Sequence, residues 1–449
     1  MIRDFWKPGS LLLLAAALAS PKNVLAVPNF ADQTGQPCTA CHVGAFGPQL
    51  TPFGRVFKIG GYTQTGGEGL ASRIPLSAMV QTSFTNTRQG QSPVPQHYNG
   101  NNNPSLDQVS VFIAGRVSDY SGGFIQLTYS NVDNTTHVDN TDLRPFTTSF
   151  SLGGHDLRVG TTINNNPTVQ DPYNTTFAWG FPFIASALAP TPAAQPVLAG
   201  AFSLNTVGYT VYAWYDNALY LEGGVYTTPS GWALARFGND LGAGAIAGAA
   251  PYARVAYEFQ WNNQSAHVGA LFMQADVNPP TGVPFQSSGV NGQDRYTDYA
   301  FDAGYMFLGD GTYIVTAQGI YTHEDQRLNA TSGVGATSSL DQIRADLAYW
   351  YQNTYGVTFG WQKTWGKPNP VLYAATNANS KPNSNAFILE ADWVPFGKAD
   401  SFGSPWANLK LGAQYTIYTE FNGATRNCDG NGRDAGANNT LLLFAWLTF

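Results

Sequence analysis

The stretch IPLSAMVQTSFT (residues 74–85) places Ile74, Leu76, Ala78, Val80 and Phe84 on one parity and Ser77, Met79, Gln81, Ser83 and Thr85 on the other. Successive side chains of a β-strand point to opposite faces. This stretch is therefore a strand with one apolar and one largely polar side. The pattern recurs near residues 108–118, where Val109, Val111, Ile113 and Val117 alternate with Gln108, Ser110 and Arg116. Similar runs follow at 255–261, 313–321, 340–350, 387–393 and 409–418. Soluble sandwiches alternate too, so one such run decides little. The number of runs and the gaps between them decide more.

The gaps alternate in length. Short turns fall at Tyr120-Ser121-Gly122, Gly153-Gly154-His155-Asp156, Asp216-Asn217, Asn262-Asn263, Gly309-Asp310-Gly311 and Asn353. Between them lie long polar loops at 86–107, 163–200, 227–250, 278–294, 324–338, 366–384 and 419–439. Short turns on one side and long loops on the other are characteristic of outer-membrane barrels. The expected fold is all-β: a transmembrane outer-membrane β-barrel of about 16 antiparallel strands, spanning 70–449, with both ends on the periplasmic side. Its last run, LLLFAWLTF (441–449), closes on a Phe, as the strands read by outer-membrane assembly machinery do.

Composition agrees. The 449 residues carry a net charge of −7, and only 11% are Asp, Glu, Lys or Arg, against 14% aromatics and 48 glycines. Soluble domains run at about 25% charged. With no basic cluster, a nucleic-acid partner is not expected. Arg3, Lys7, the apolar run 11–19 and Val24-Leu25-Ala26 read as a signal peptide over 1–26. A membrane anchor is the other reading, but that run is short of the ~20 residues a spanning helix needs.

Two of the three cysteines lie in Cys38-Thr39-Ala40-Cys41-His42. C-x-x-C-H is the attachment signature of c-type haem: two thiols one turn apart form thioethers, and the adjacent His coordinates iron. A thioredoxin-like pair wants a βαβ context, and a zinc site wants a second ligand pair. Cys428, in a Gly/Asn/Asp loop, reads as an isolated thiol. Residues 27–69 thus form a haem-binding segment holding one covalent haem c, with Cys38 and Cys41 as attachment points and His42 as proximal iron ligand. The segment has no other His and no Met. Its Lys58 reads as a surface residue, so a sixth ligand comes from elsewhere or is water or absent.

The segment VPNFADQTGQPCTACHVGAFGPQLTPFGRVFKIGGYT (27–63) resembles the start of the fused monohaem cytochrome c–porin proteins of the outer membrane, best known from iron-oxidising bacteria. The matching features are Pro28, Phe30, Gln33-Thr34-Gly35, the Cys38/Cys41/His42 motif, Leu50-Thr51-Pro52-Phe53-Gly54-Arg55 and Phe57-Lys58. Residues 415–449 resemble that family as well, and the middle only by general pattern. The resemblance implies a haem at or inside the barrel mouth and electron transfer as the activity.

The apolar band of such a barrel is about 25 Å tall, so a haem that conducts across it sits within the lumen. About forty residues cannot bury a haem alone, and 27–69 reads as a plug whose packing the pore completes. For the distal ligand, Met79 lies on the lumen parity of the first strand, and His97 lies on an outer loop able to fold inward. Met306 also reads as inward-facing; Met273 is ambiguous; the other histidines fall mainly in loops. Acidic residues Asp107, Asp133, Asp139, Asp171, Glu324 and Asp325 read as solvated loop positions.

Three functions follow. The first is an electron conduit from an extracellular donor such as Fe(II) to a periplasmic carrier such as a soluble cytochrome, possible Fe(II) oxidase activity included. The second is a diffusion porin with a structural haem-bearing gate. The third is a haem enzyme, against which no distal acid/base pair is recognisable. Hydrolytic or transferase chemistry is not expected. The conduit reading is the one adopted.

Overall fold

The computed structural model describes residues 29–69, 74–242, 244–280, 292–373, 379–398, 400–402 and 407–449. The expected signal peptide lies outside them. Three short helices come first: α1 (Asn29–Thr34), α2 (Cys38–Cys41) and α3 (Pro52–Ile59). The strands are β1 (Leu76–Thr87), β2 (Asn103–Ser118), β3 (Ser121–Ser130), β4 (Thr135–Leu152), β5 (His155–Asn164), β6 (Val207–Tyr215), β7 (Leu219–Thr227), β8 (Ala245–Ile246) and β9 (Ala250–Trp261). They continue as β10 (Gln264–Asn278), β11 (Asp294–Phe307), β12 (Tyr313–Leu328), β13 (Thr337–Tyr351), β14 (Tyr355–Gly366), β15 (Ser384–Trp393), β16 (Asn408–Glu420) and β17 (Thr440–Thr448).

All seventeen belong to one sheet, in which β8 is a two-residue piece pairing with the end of β10. The other sixteen run antiparallel, each beside its neighbour, and β1 closes the ring against both β2 and β17. Met79 faces Thr448 across that seam and Thr87 faces Thr440. Closure leaves no free strand edge, the condition for a sheet in hydrocarbon. The alternation is the one expected: Val111 (43%), Val255 (43%) and Leu389 (51%) are exposed outside, whereas Ser110, Arg254 and Glu390 are buried inside. At about 25 cal/mol per Å² of apolar surface, that outer face is costly in water and suits lipid.

The short connections 119–120, 153–154, 216–218, 262–263, 308–312 and 352–354 share one mouth with the start of β1 and end of β17, as do the end of β15 and the start of β16. The long connections 88–102, 165–206 and 421–439 lie at the other mouth, with the ends of β7, β10 and β14 and the starts of β9, β11 and β15. Two boundaries differ from expectation. The tight turn 131–134 sits among the long loops, and β12 continues to Leu328 where a loop from 324 was expected. The extension is stable because inward Glu324 accepts a hydrogen bond from Val197 N (2.7 Å) and another from Gln326. Polar residues there lie against protein, so the strand reads as a loop.

The lumen is filled from both ends. Helices α1–α3 enter from the short-turn mouth: Asn29 donates to Ala114 O (2.9 Å), Tyr62 OH to Asp142 (2.7 Å), and Gly44 N to Asn353 (2.9 Å). The 165–206 connection folds inward from the other mouth. It is not a solvated loop: Val169, Tyr173, Phe177, Phe181, Leu198 and Phe202 are buried in it. Its backbone donates from Leu198 N to Asp298 (2.8 Å), and its Ile184 carbonyl accepts from Gln414 (2.9 Å). Arg254 on β9 binds this loop at Asp171 (3.3 Å) and the wall at Asp302. Asp107, Asp139, Asp171 and Glu324 are accordingly buried, which corrects their reading as solvated loop residues.

Candidate functional site

Helix α2 is one turn, so Cys38 and Cys41 fall on one face, with His42 following in extended conformation (φ −122°, ψ 135°). The next helix holds this turn in place. Thr51 caps α3 by accepting from Gly54 N (3.2 Å), donates its hydroxyl to Ala40 O (2.5 Å), and its backbone N–H reaches Cys41 O (2.9 Å). Pro52 opens α3, where a missing N–H costs nothing. A Cβ on Gly54 would lie 2.4 Å from Cys41 O, so only glycine lets the two helices approach this closely. Gly44 (φ 68°) is similarly required, since a Cβ there would meet the Trp350 ring at 2.4 Å.

Beside this turn lies a cavity of about 300 Å³. Cys38, Cys41 and His42 line it together with Met79 of β1. Both thiols are free. Burial lowers the His42 imidazole to about 4, the Gly47 carbonyl opposing, so the ring is neutral near pH 7; its Nδ1 is buried without a hydrogen-bond partner. Burial, and secondarily the neighbouring Cys38, pushes the Cys41 thiol up to about 12.

The walls are aromatic and come from three sources. The plug gives Phe30 stacked on Tyr62 (5.1 Å), with Phe57 edge-on to both. The barrel gives Phe124, and Trp446 edge-on to Phe46 (5.0 Å). The inward loop gives Trp179, 6.1 Å from Phe124. The Trp446 indole N–H is buried and unpartnered.

Met79 is thus brought to the cavity, 4% exposed. His97 is not. It is exposed in the 88–102 connection, beyond the far end of β1, and does not line the cavity. Lys58 is no surface residue: it is buried and donates to Val169 O (2.6 Å) and Asp171 O (2.9 Å), which ties plug to loop. Those bonds commit its ammonium. Met306 faces inward but contacts Arg55 Nη1 (3.6 Å), and Met273 is buried on the inner face of β10; neither lines the cavity. His267 stacks on Tyr173 (4.2 Å) with Asp302 beside it (3.3 Å).

Trp179, Phe124 and Trp446 were not singled out in the sequence. A signal existed for the last: residues 441–447 are apolar on both parities, which a polar lumen does not need. The inner residues Leu442, Phe444 and Trp446 face the filled part of the barrel.

No protein-family model and no curated protein matches the chain. Among solved structures it is similar to OmpF of Salmonella typhi in complex with daunomycin (10% identity, 83% of this chain and 97% of that one, TM-score 0.47). It is also similar to the outer membrane channel DcaP of Acinetobacter baumannii (12%, 83% and 96%, TM-score 0.44) and to outer-membrane expressed OmpT of Vibrio cholerae (10%, 83% and 97%, TM-score 0.42). At these values the likeness carries no argument about function.

Proposed function

We propose that this chain is an outer-membrane electron-transfer protein of the fused cytochrome c–porin type. It would carry electrons through one covalent haem c between an extracellular donor such as Fe(II) and a periplasmic carrier, with the Cys38 mouth facing the periplasm. The observation that carries the reading is the cavity, in which two free thiols, a neutral imidazole and a thioether meet within aromatic walls. This donor set fits the group: Cys38 and Cys41 would form the thioethers, His42 would coordinate from its own side, and Met79 is the proposed distal ligand. The orphaned His42 Nδ1 and Trp446 N–H are polar atoms that a bound group or its waters would satisfy. Haem supplies one-electron iron chemistry, and Met ligation raises its potential.

The rest of the chain would hinder solutes from crossing the whole lumen. Phe30, Phe57, Tyr62, Phe124 and Trp179 enclose the site, and plug and loop occupy the lumen at successive levels. That second observation weighs against the alternative, a diffusion porin with a haem-bearing gate. The two readings separate in proteoliposomes enclosing an oxidised soluble cytochrome. Fe(II) added outside is expected to reduce the enclosed cytochrome while sugars fail to swell the vesicles. Swelling without electron transfer from any donor tried would leave the porin.

The distal ligand has its own test. Met79→Ala is expected to lose the low-spin six-coordinate spectrum and the thioether-to-iron band, with a fall in midpoint potential. His97→Ala should leave both unchanged. An unaltered spectrum in Met79→Ala removes Met79 from the role.

A further inference from the structure

A second cavity, of about 360 Å³, lies between the inward loop and the inner faces of β13–β17, and shares no residue with the Cys38–His42 cavity. Its chemistry is unlike the rest of the lumen. Elsewhere inside, each of Arg55, Arg144, Arg254 and Lys410 has a carboxylate partner. In a chain with 29 acidic residues against 22 basic ones, no Asp or Glu among the described residues lines this cavity, and Arg344 is the one charged residue among them that does. Among the described residues the Arg344 side chain makes no hydrogen bond or ion pair; its Nε is buried and unpartnered, and its recorded contact is the Phe181 ring face at 6.0 Å.

A guanidinium has five N–H donors and no acceptor, and leaving it unpaired in a partly buried place costs free energy that an oxyanion would recover. Directly across the β13–β14 pair stands Gln362, also inward and without a side-chain hydrogen bond among the described residues, offering further amide donors. The remaining lining is mixed: Phe177, Phe181, Ile388 and Leu442 are apolar, while Gln342, Thr364, Ser384, Thr416 and Thr440 add hydroxyl and amide groups.

We propose that this cavity binds a small organic carboxylate, its carboxylate on the Arg344 fork and the Gln362 amide, its apolar body against Phe177 and Phe181. The Phe177 and Phe181 rings beside Arg344 give an organic anion a surface that an inorganic one cannot use. The proposal is independent of the haem.

The test is calorimetric titration of the full-length protein in a non-ionic detergent with benzoate, its neutral isostere benzamide, and inorganic phosphate. Saturable benzoate binding is expected, with benzamide and phosphate each much weaker. Arg344→Gln should weaken benzoate at least tenfold and Gln362→Leu several-fold, in variants that keep the heat-modifiable gel mobility of a folded barrel. If Arg344→Gln does not fold, Gln362→Leu, which removes no charge, still decides. Absence of saturable binding at millimolar benzoate, equal affinity for benzamide, tighter binding of phosphate, or unchanged affinity in the folded variants would each overturn the assignment.

Discussion

Replacing both Cys38 and Cys41 with serine is expected to abolish covalently attached porphyrin completely while leaving the barrel assembled. The effect should be all-or-none because the proposed thioethers are the only covalent links. The measurement is haem staining after denaturing electrophoresis, where only covalent porphyrin survives. Each single serine variant leaves one thioether and should stain more weakly. His42→Ala keeps both thioethers but loses the proximal imidazole, so staining should persist while the low-spin spectrum disappears. The barrel tolerates these changes because neither thiol belongs to a strand and serine nearly matches cysteine in size. Cys38 packs only at the margin of the cluster formed by Val43, Ala45, Met306 and Trp350. Stain retained in the double variant would defeat the attachment reading, and with it the electron-transfer proposal.

How much of this was legible in the sequence depended on whether a residue's environment is set locally. Parity placed Met79 inside because a strand's faces are decided by its own alternation, and the C-x-x-C-H spacing needs only one helical turn. The sixteen-strand ring followed from repeated alternation and gap lengths for the same reason. What failed was set by distant chain. Glu324 and Asp171 look like solvated loop residues until the 165–206 connection folds inward, bringing Val197 N to Glu324 and carrying Asp171 to Arg254 of β9. That connection is rich in Pro, Asn, Thr and Ala and carries no period, so its Phe177, Phe181 and Phe202 gave no sign of being core. Lys58 is buried because two loop carbonyls reach it from more than a hundred residues away. Its neighbours in sequence carry no trace of them.

Substituting Glu258 with leucine is expected to have the second large effect, loosening the plug. Arg55 of α3 donates to Glu258 of β9 through Nε (3.2 Å) and Nη2 (2.6 Å), with both side chains 3% exposed or less. The same guanidinium reaches Ser265 Oγ (3.0 Å) and Leu50 O (2.8 Å), so it joins two strands to the turn that leads into α3. Removing one member of a buried pair leaves the other charged and uncompensated, at about 3–5 kcal/mol. Ser265 and Leu50 are neutral and cannot replace the carboxylate. The cheapest relief is for α3 to leave the wall and let Arg55 reach water, which shifts the population toward an undocked plug without unfolding the ring. Protease should then cleave in 29–75 faster than in the native protein, and sugars should begin to cross in liposome swelling. The double variant Arg55→Leu/Glu258→Leu removes both charges and should be closer to native than Glu258→Leu alone, since a buried pair exchanged for apolar residues is often neutral. A double variant as leaky as the single one would mean that shape, and not charge pairing, seats the plug.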